Sequence, residues 1–312
     1  MTALICGSFA YDNIMVYPGR FREQILPDRI HILNVAFLVP ELRREFGGCA
    51  GNIAYNLNAI GGAGRPMGTV GTDFEPYAQW LSTCGVDDRH VRQVDGCYTA
   101  QAYITTDLDD NQITAFHPGA MDHAHVNTVP TDEGITLGIV APDGRQGMID
   151  HATQFADAGI PFIFDPGQGL PMFEGEDLLR FIDQATWVTV NDYEAGLVQQ
   201  KTGLAPAQIA ERVEALIVTR GAEGAVVWCK GRRLDIPPVP AAEIVDPTGC
   251  GDAFRAGLLH GLMHGADWEV TGRLASLLGS IKVGHHGTQN HALTPEGTRK
   301  AFSTAFGFDL GI

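Results

Sequence analysis

"VDPTGCGDAFRAGLLHGL", residues 245–262, sets an aspartate, a proline and two glycines around a cysteine ahead of a second aspartate and an apolar run of helical period. Glycines at Gly249 and Gly251 let backbone approach a ligand closely, and the amides that follow point out of a helix N-terminus. Such amides have no intrahelical acceptor, and with the helix dipole they favour an anion. Asp252 stands where its carboxylate reaches what those amides hold. The pattern suits transfer of a negatively charged group: amides of Gly249, Cys250 and Gly251 stabilise the charge and Asp252 takes a proton from an attacking hydroxyl. The plainer reading is a loop entering a helix through an acidic start, and the rest of the chain has to decide.

The chain has 312 residues, 45% of them hydrophobic and 19% charged, enough for one large α/β domain or two modest ones. A formal net charge of −16 disfavours binding to nucleic acid or anionic membranes. Any polyanionic ligand must therefore be held by local dipoles or a metal. The six cysteines form no C-x-x-C pair and read as reduced thiols. The opening "MTALICGSFAYDN" has no basic leader region, and no run approaches the roughly 18 apolar residues of a membrane span, so a cytoplasmic protein is expected. His123 with His125, and His285 with His286, lack metalloprotease spacing and support no metal site.

Working outward, "ALICGSFA" reads as a buried first strand and "CAGNIAYNLNAIGG" (49–62) as a helix stopped by glycines. From residue 135 to 220 strands and helices alternate, which predicts a parallel sheet with helices on both faces. Ligands of such sheets lie beyond the strands' carboxyl ends. Here those ends supply Asp12, Asp165, Asn191 and Gly221. Two stretches break the alternation. Residues 13–46 include the extended, apolar "IHILNVAFLVP", and residues 98–117 alternate around "DLDDN" as a hairpin. They predict a small antiparallel sheet, serving as a lid, a dimer surface or both. "VVWCKGRRLDIPPVP" (226–240) is a further hairpin.

No Walker A loop and no dinucleotide fingerprint occurs, so phosphate binding must use another geometry. "DPTGCGDAFRAG" resembles the C-terminal signature of the ribokinase/PfkB family of carbohydrate and nucleoside kinases, and "GGCAGNIAYNLNAIGG" (47–62) its N-terminal one. "NDYE" (191–194) is similar to the family's N-x-x-E motif and "TRGAEG" (219–224) to its nucleotide-binding stretch. All four stand in family order across essentially the whole chain. The resemblance implies a single ribokinase-like domain over residues 1–312, a three-layer α/β/α core with a mainly parallel sheet, and a small β-sheet lid from insertions at about 13–46 and 98–117.

It further implies residue roles. Asp252 is the general base, and the amides of Gly249, Cys250 and Gly251 form an anion hole for the γ-phosphoryl group of ATP. Cys250 replaces the usual alanine and implies no catalytic thiol; Pro247 replaces a frequent threonine. Asn191 and Glu194 would hold Mg²⁺ through waters, and Thr219, Gly221 and Gly224 the nucleotide, with the helix "WEVTGRLASLLGSIKVG" (268–284) and the following "HHGTQ" (285–289) walling the adenine. Asp246, Thr248 and carbonyls near Gly287 match a monovalent-cation (K⁺) site. Asp12, Gly48 and Asn52 match the set that holds a sugar's hydroxyls.

The acceptor is less sharply written. Phe116, in "ITAFHPGAM", and Phe37 offer aromatic surface for a flat base or simply packing. The whole pattern, "FHPGA" and "DPGQGLP" included, is most similar to bacterial nucleoside kinases of the adenosine-kinase type. That implies ATP-dependent phosphorylation of a nucleoside 5′-hydroxyl, adenosine or another purine nucleoside, with Phe116 and Gln168 as further contacts, in a monomer or homodimer. A ribokinase- or fructokinase-like sugar kinase is the alternative. A catalytically silent relative is a third reading, against which the intact Asp252, Asn191 and Glu194 speak.

Overall fold

The computed structural model describes residues 1–25, 32, 34–109 and 111–312, so part of the extended "IHILNVAFLVP" reading lies outside the described residues. The strands are β1 (Thr2–Cys6), β2 (Ala10–Val16), β3 (Glu41–Gly47), β4 (Gly64–Val70), β5 (His90–Gln93), β6 (Ala100–Thr106), β7 (Gln112–His117), β8 (Ile135–Val140), β9 (Phe162–Phe164), β10 (Trp187–Asn191), β11 (Ala215–Thr219), β12 (Ala225–Cys229) and β13 (Arg232–Ile236). The helices are α1 (Phe21–Gln24), α2 (Cys49–Ala59), α3 (Glu75–Thr83), α4 (Arg145–Asp157), α5 (Gly175–Gln184), α6 (Asp192–Thr202), α7 (Pro206–Ala210), α8 (Cys250–Met263), α9 (Trp268–Val283) and α10 (Pro295–Phe306).

Nine strands form one sheet in the order β13-β12-β11-β10-β9-β8-β1-β4-β5. All neighbours from β11 to β5 run parallel, while β12 pairs antiparallel with both β11 and β13. Unbroken apolar runs make these strands because both faces are covered. Along β1, Leu4 and Cys6 join one buried cluster and Ala3 and Ile5 the other. Phe162 and Phe164 of β9 likewise face α4 and α5, while Ile163 faces the α2–α8–α9 side. This is the expected three-layer core.

The α8 helix is buried almost all round, from Ala253 to Gly261, as its lack of a polar face requires. A Cβ on Gly257 would lie 2.5 Å from the Ala275 Cα, so glycine there sets how closely α8 meets α9. At its start α8 is fastened to the sheet by charge. Arg255 bonds both carboxylate oxygens of Asp165, just after β9, at 2.9 and 3.0 Å, with both side chains buried.

A second sheet, ordered β3-β2-β6-β7, stands where the sequence placed two interruptions. It is mixed, not purely antiparallel: β2 pairs β6 in parallel, with antiparallel hairpin partners outside them. Each insertion supplies two adjacent strands, and joining them side by side sets the parallel pair at the centre. One face packs on the main body through Tyr11, Phe46 and Tyr77.

Replacing Arg255 with Met strands Asp165 as a buried, unpaired carboxylate. The expected loss is about 3–5 kcal/mol of unfolding free energy in urea titration, partly recovered in the Asp165→Leu/Arg255→Met double variant. A loss below about 1 kcal/mol would show the pair to be incidental.

Candidate active site

Gly249 caps α8 in the left-handed region (φ 79°, ψ 0°), and a Cβ there would lie 2.9 Å from Thr288 Cγ2. Glycine is thus required for both conformation and space. The three-amide anion hole needs a correction. The Cys250 amide donates to the Pro247 carbonyl at 3.2 Å and closes the turn. Among the described residues the amides of Gly249, Gly251 and Asp252 meet no protein acceptor, and these form the open set. Burial pushes the Cys250 thiol up to about 11, so it stays neutral and is no nucleophile.

Asp252 lies beside those amides, partly buried. Burial pushes its pKa up to about 6, opposed by a hydrogen bond from Asn52 and by the Arg255 charge. Asn52, on the first turns of α2, donates from Nδ2 to Asp252 Oδ2 at 2.8 Å. Its Oδ1 accepts from Gln289 Nε2 at 2.9 Å, and the residue is 3% exposed. Gln289 in turn donates to the Tyr77 hydroxyl at 2.6 Å and accepts from Trp80 Nε1 at 2.8 Å. Asn52 therefore holds the acid in place, where the sequence suggested direct contact with a sugar. Of "HHGTQ", Gln289 belongs to this network, while the Gly287 amide donates to Asp246 and the Thr288 hydroxyl to the Phe46 carbonyl.

Asp12 is not at the end of the first strand but within β2 of the small sheet, opposite Glu45 on β3 and Ala102 on β6. Burial, with Asp246 and Glu45 nearby, pushes its pKa up to about 6. A Cβ on Gly47 would fall 2.7 Å from Asp12 Oδ2, so the bare glycine leaves the carboxylate room. Gly48 (φ 88°) would drive a Cβ to 2.6 Å from the Phe9 Cα, a packing reason for glycine that needs no ligand. Across the small sheet Glu45, Asp12, Ala102 and Phe116 form one row. Residues in such a row share a face, so Phe116 stands on the Asp12 side, two strands or roughly 10 Å away. Phe116 is 53% exposed. Phe37 instead packs against Tyr17 and Phe21, each ring centre 4.9 Å away.

On the other flank, Asn191 and Thr219 are register partners at the ends of β10 and β11. Asn191 and Glu194 form a reciprocal cap on α6: Asn191 Oδ1 accepts from the Glu194 amide, and both Glu194 oxygens accept from Asn191 at 2.8 Å. Burial and the neighbouring Asp165 raise the Glu194 pKa. Each carboxylate oxygen keeps a lone pair, and no cluster of three acidic, histidine or cysteine ligands occurs among the described residues. The pair fits the water shell of a Mg²⁺ ion, not direct ligation. Gly221 (φ 53°) is open, whereas a Cβ on Gly224 would meet the Ile236 carbonyl at 2.2 Å, so packing alone accounts for that glycine. Gln168 is exposed in a 3₁₀ turn (Gly167–Met172) that follows β9.

Asp246 and Thr248 do not present a cation cradle. The Asp246 carboxylate accepts the Thr248 and Gly287 amides, both at 2.9 Å, and the Asp246 carbonyl accepts the Lys282 ammonium at 2.6 Å. Sequence reasoning missed Arg255, Tyr77 and Lys282 as site residues and gave the stretch that holds Gln289 a different role. Arg255 was in view three residues past Asp252, on the same helix face, and Lys282 is a lone cation in the apolar run "ASLLGSIKVG". Nothing local marks Tyr77 or Gln289, whose roles come from contacts more than 200 residues apart.

Known proteins resemble this chain along nearly its whole length. Residues 9–295 match the pfkB family carbohydrate kinase pattern. A nucleoside kinase of Methanocaldococcus jannaschii is 30% identical over 263 residues, covering 84% of this chain and 86% of that protein. The structure of Burkholderia thailandensis nucleoside kinase in complex with inosine is 55% identical, with a TM-score of 0.90 and 99% of each chain covered. The same enzyme in complex with ADP-inosine is 56% identical, with a TM-score of 0.87 over 99% of this chain and 97% of that one. With the glycine turn, the asparagine on α2 and the capped α6 in family order on the family's fold, the chain belongs to the pfkB family of carbohydrate kinases.

Proposed function

We propose that this enzyme transfers the γ-phosphoryl group of ATP to the 5′-hydroxyl of a nucleoside, with purine nucleosides, adenosine and inosine among them, as acceptors. One observation carries the reading. Asp252, its pKa pushed up to about 6, lies beside open helix N-terminal amides, both it and Asp12 act on the buried Tyr77, and the sheet row of Asp12 runs on to an exposed Phe116. A ribose bonded to Asp12 through its hydroxyls places an attached base over Phe116, since two strand spacings match the reach of a nucleoside. A compact sugar would leave that ring unused. The nucleoside kinases it resembles support the same choice.

Phosphoryl transfer asks mainly for positioning and charge compensation. Asp252 accepts the proton of the 5′-hydroxyl as its oxygen attacks phosphorus and the bond to the ADP oxygen breaks. The Gly249 and Gly251 amides meet the charge on the equatorial oxygens. Thr219 and Gly221 border the nucleotide. Asn191 and Glu194 would orient the hydration shell of Mg²⁺, which supplies the remaining charge compensation. The small sheet, carrying Asp12 and Phe116, covers the acceptor and keeps water from the transferring group.

Asp252→Asn should lower kcat by roughly 10²–10⁴-fold with ATP affinity by calorimetry unchanged; near-normal turnover would exclude Asp252 as the base. The base works only when ionised, so kcat/KM should fall as pH drops through about 6. Asn52→Ala removes a hydrogen bond that holds this pKa down, and the acidic limb should move to higher pH; an unmoved limb would leave Asn52 with no hold on the acid. Phe116→Ala should raise KM for adenosine and inosine by roughly tenfold, the scale of base–aromatic stacking, with no effect on any turnover of ribose or fructose. Preferred turnover of the free sugars by the wild type would favour the sugar-kinase reading.

A further inference from the structure

Beneath the turn that carries Asp246 to Asp252 lies an ammonium group that the proposed chemistry has not used. We infer that the Lys282 side chain takes the place of the monovalent cation that the family resemblance would put beside the anion hole, so that turnover needs no K⁺. The inference rests on that turn being the phosphoryl site.

Lys282 sits in the last turn of α9 and is 0% exposed. Its Nζ donates to the Asp246 carbonyl at 2.6 Å and to the His285 carbonyl at 3.2 Å. These carbonyls belong to the two backbone segments that a bound ion would bridge: the approach to the glycine turn, and the loop after α9 that leads to Gly287. The segments are also joined by the Val245 and Asp246 amides, which share the Val283 carbonyl at 2.9 and 3.1 Å. Within the expected cation set both carboxylate oxygens of Asp246 already accept an amide, and the His286 carbonyl beside Gly287 accepts Asn290 Nδ2 at 3.0 Å.

A K⁺ ion needs several oxygens converging with no N–H among them. Here each of these oxygens faces an N–H donor, and the cation that meets the Asp246 and His285 carbonyls is covalently attached. An ammonium is close to K⁺ in size and carries the same charge. Fixed by a helix and two carbonyls, it supplies that charge without depending on ion concentration. Asp246, Asp252 and the Cys250 thiol are the titratable neighbours that act on it. Asp246 and Asp252 flank the open amides, so a positive charge here offsets the acidic surroundings where a phosphoryl group must enter. Lys282 is thus a positioning residue: it touches no substrate but fixes the turn and its potential.

The test measures adenosine phosphorylation with MgATP in buffers whose monovalent cation is either tetramethylammonium or K⁺. Wild-type kcat should be the same in both; an absolute K⁺ requirement would overturn the inference. Lys282→Met should lose roughly 10²-fold in kcat without K⁺, with saturable recovery on adding K⁺ or NH₄⁺. A folded Lys282→Met protein equally active in either buffer would also overturn it. Should that variant not fold, the wild-type comparison decides alone. Independently of turnover, Tl⁺ diffused into crystals should give an anomalous peak beside Asp246 in Lys282→Met and none in the wild type; a wild-type peak there would contradict the assignment. No phosphorylation in any buffer would refute the kinase reading instead, and the Tl⁺ result would still judge this one.

Discussion

One hydrogen bond, 2.8 Å from Asn52 to Asp252, joins the starts of two helices whose residues lie 200 apart in the chain. The site depends on it because a carboxylate at a helix mouth is otherwise free to turn toward water. Asn52 can serve only because its other amide atom is fixed by Gln289, itself held between Tyr77 and Trp80. The acid is thereby aimed by a buried polar chain in which each member has a partner, the condition under which such networks stiffen a structure. Gly48 makes the geometry possible by letting α2 begin against the backbone of Phe9, which no side chain would allow.

Charge is the second constraint. A protein of net charge −16 that receives a polyphosphate must collect positive potential locally. It does so with buried cations, each tied to an acceptor. Arg255 is clamped by Asp165 behind Asp252, and Lys282 bridges two carbonyls beneath the glycine turn. The open amides of Gly249 and Gly251 add dipoles that cannot be titrated away. Burial pushes the pKa of both Asp12 and Asp252 up to about 6.

Much of this was legible in the residues. Apolar strands alternating with amphipathic helices gave the parallel sheet, because strands covered on both faces have nowhere to place polar side chains. The "DLDDN" turn gave the β6–β7 hairpin, and "GCGD" the helix mouth. Where the reading failed, a local pattern stood for a non-local contact. Asn52 looked like a sugar ligand because nothing nearby in sequence shows that Asp252 and Gln289 would claim it. The Cys250 amide looked open because the turn from Pro247 that uses it depends on dihedral angles, not on composition. Asp12 was assigned to the first strand because the break at Gly7–Phe9, where the chain leaves one sheet for the other, carries the same small apolar residues as a strand. Lys282 was passed over because a lone lysine in a helix is ordinarily solvated, and only its depth shows otherwise.

In the proposed reaction, amides at residues 249 and 251 receive the migrating phosphoryl group while Asp252 receives the proton. A crystal structure of the enzyme with adenosine, ADP and aluminium fluoride tests it most directly. The fluoride ligands should lie on the Gly249 and Gly251 amides, with the 5′-oxygen within hydrogen-bond distance of Asp252. A 5′-oxygen held by a different side chain, or fluorides that bypass both amides, would contradict it.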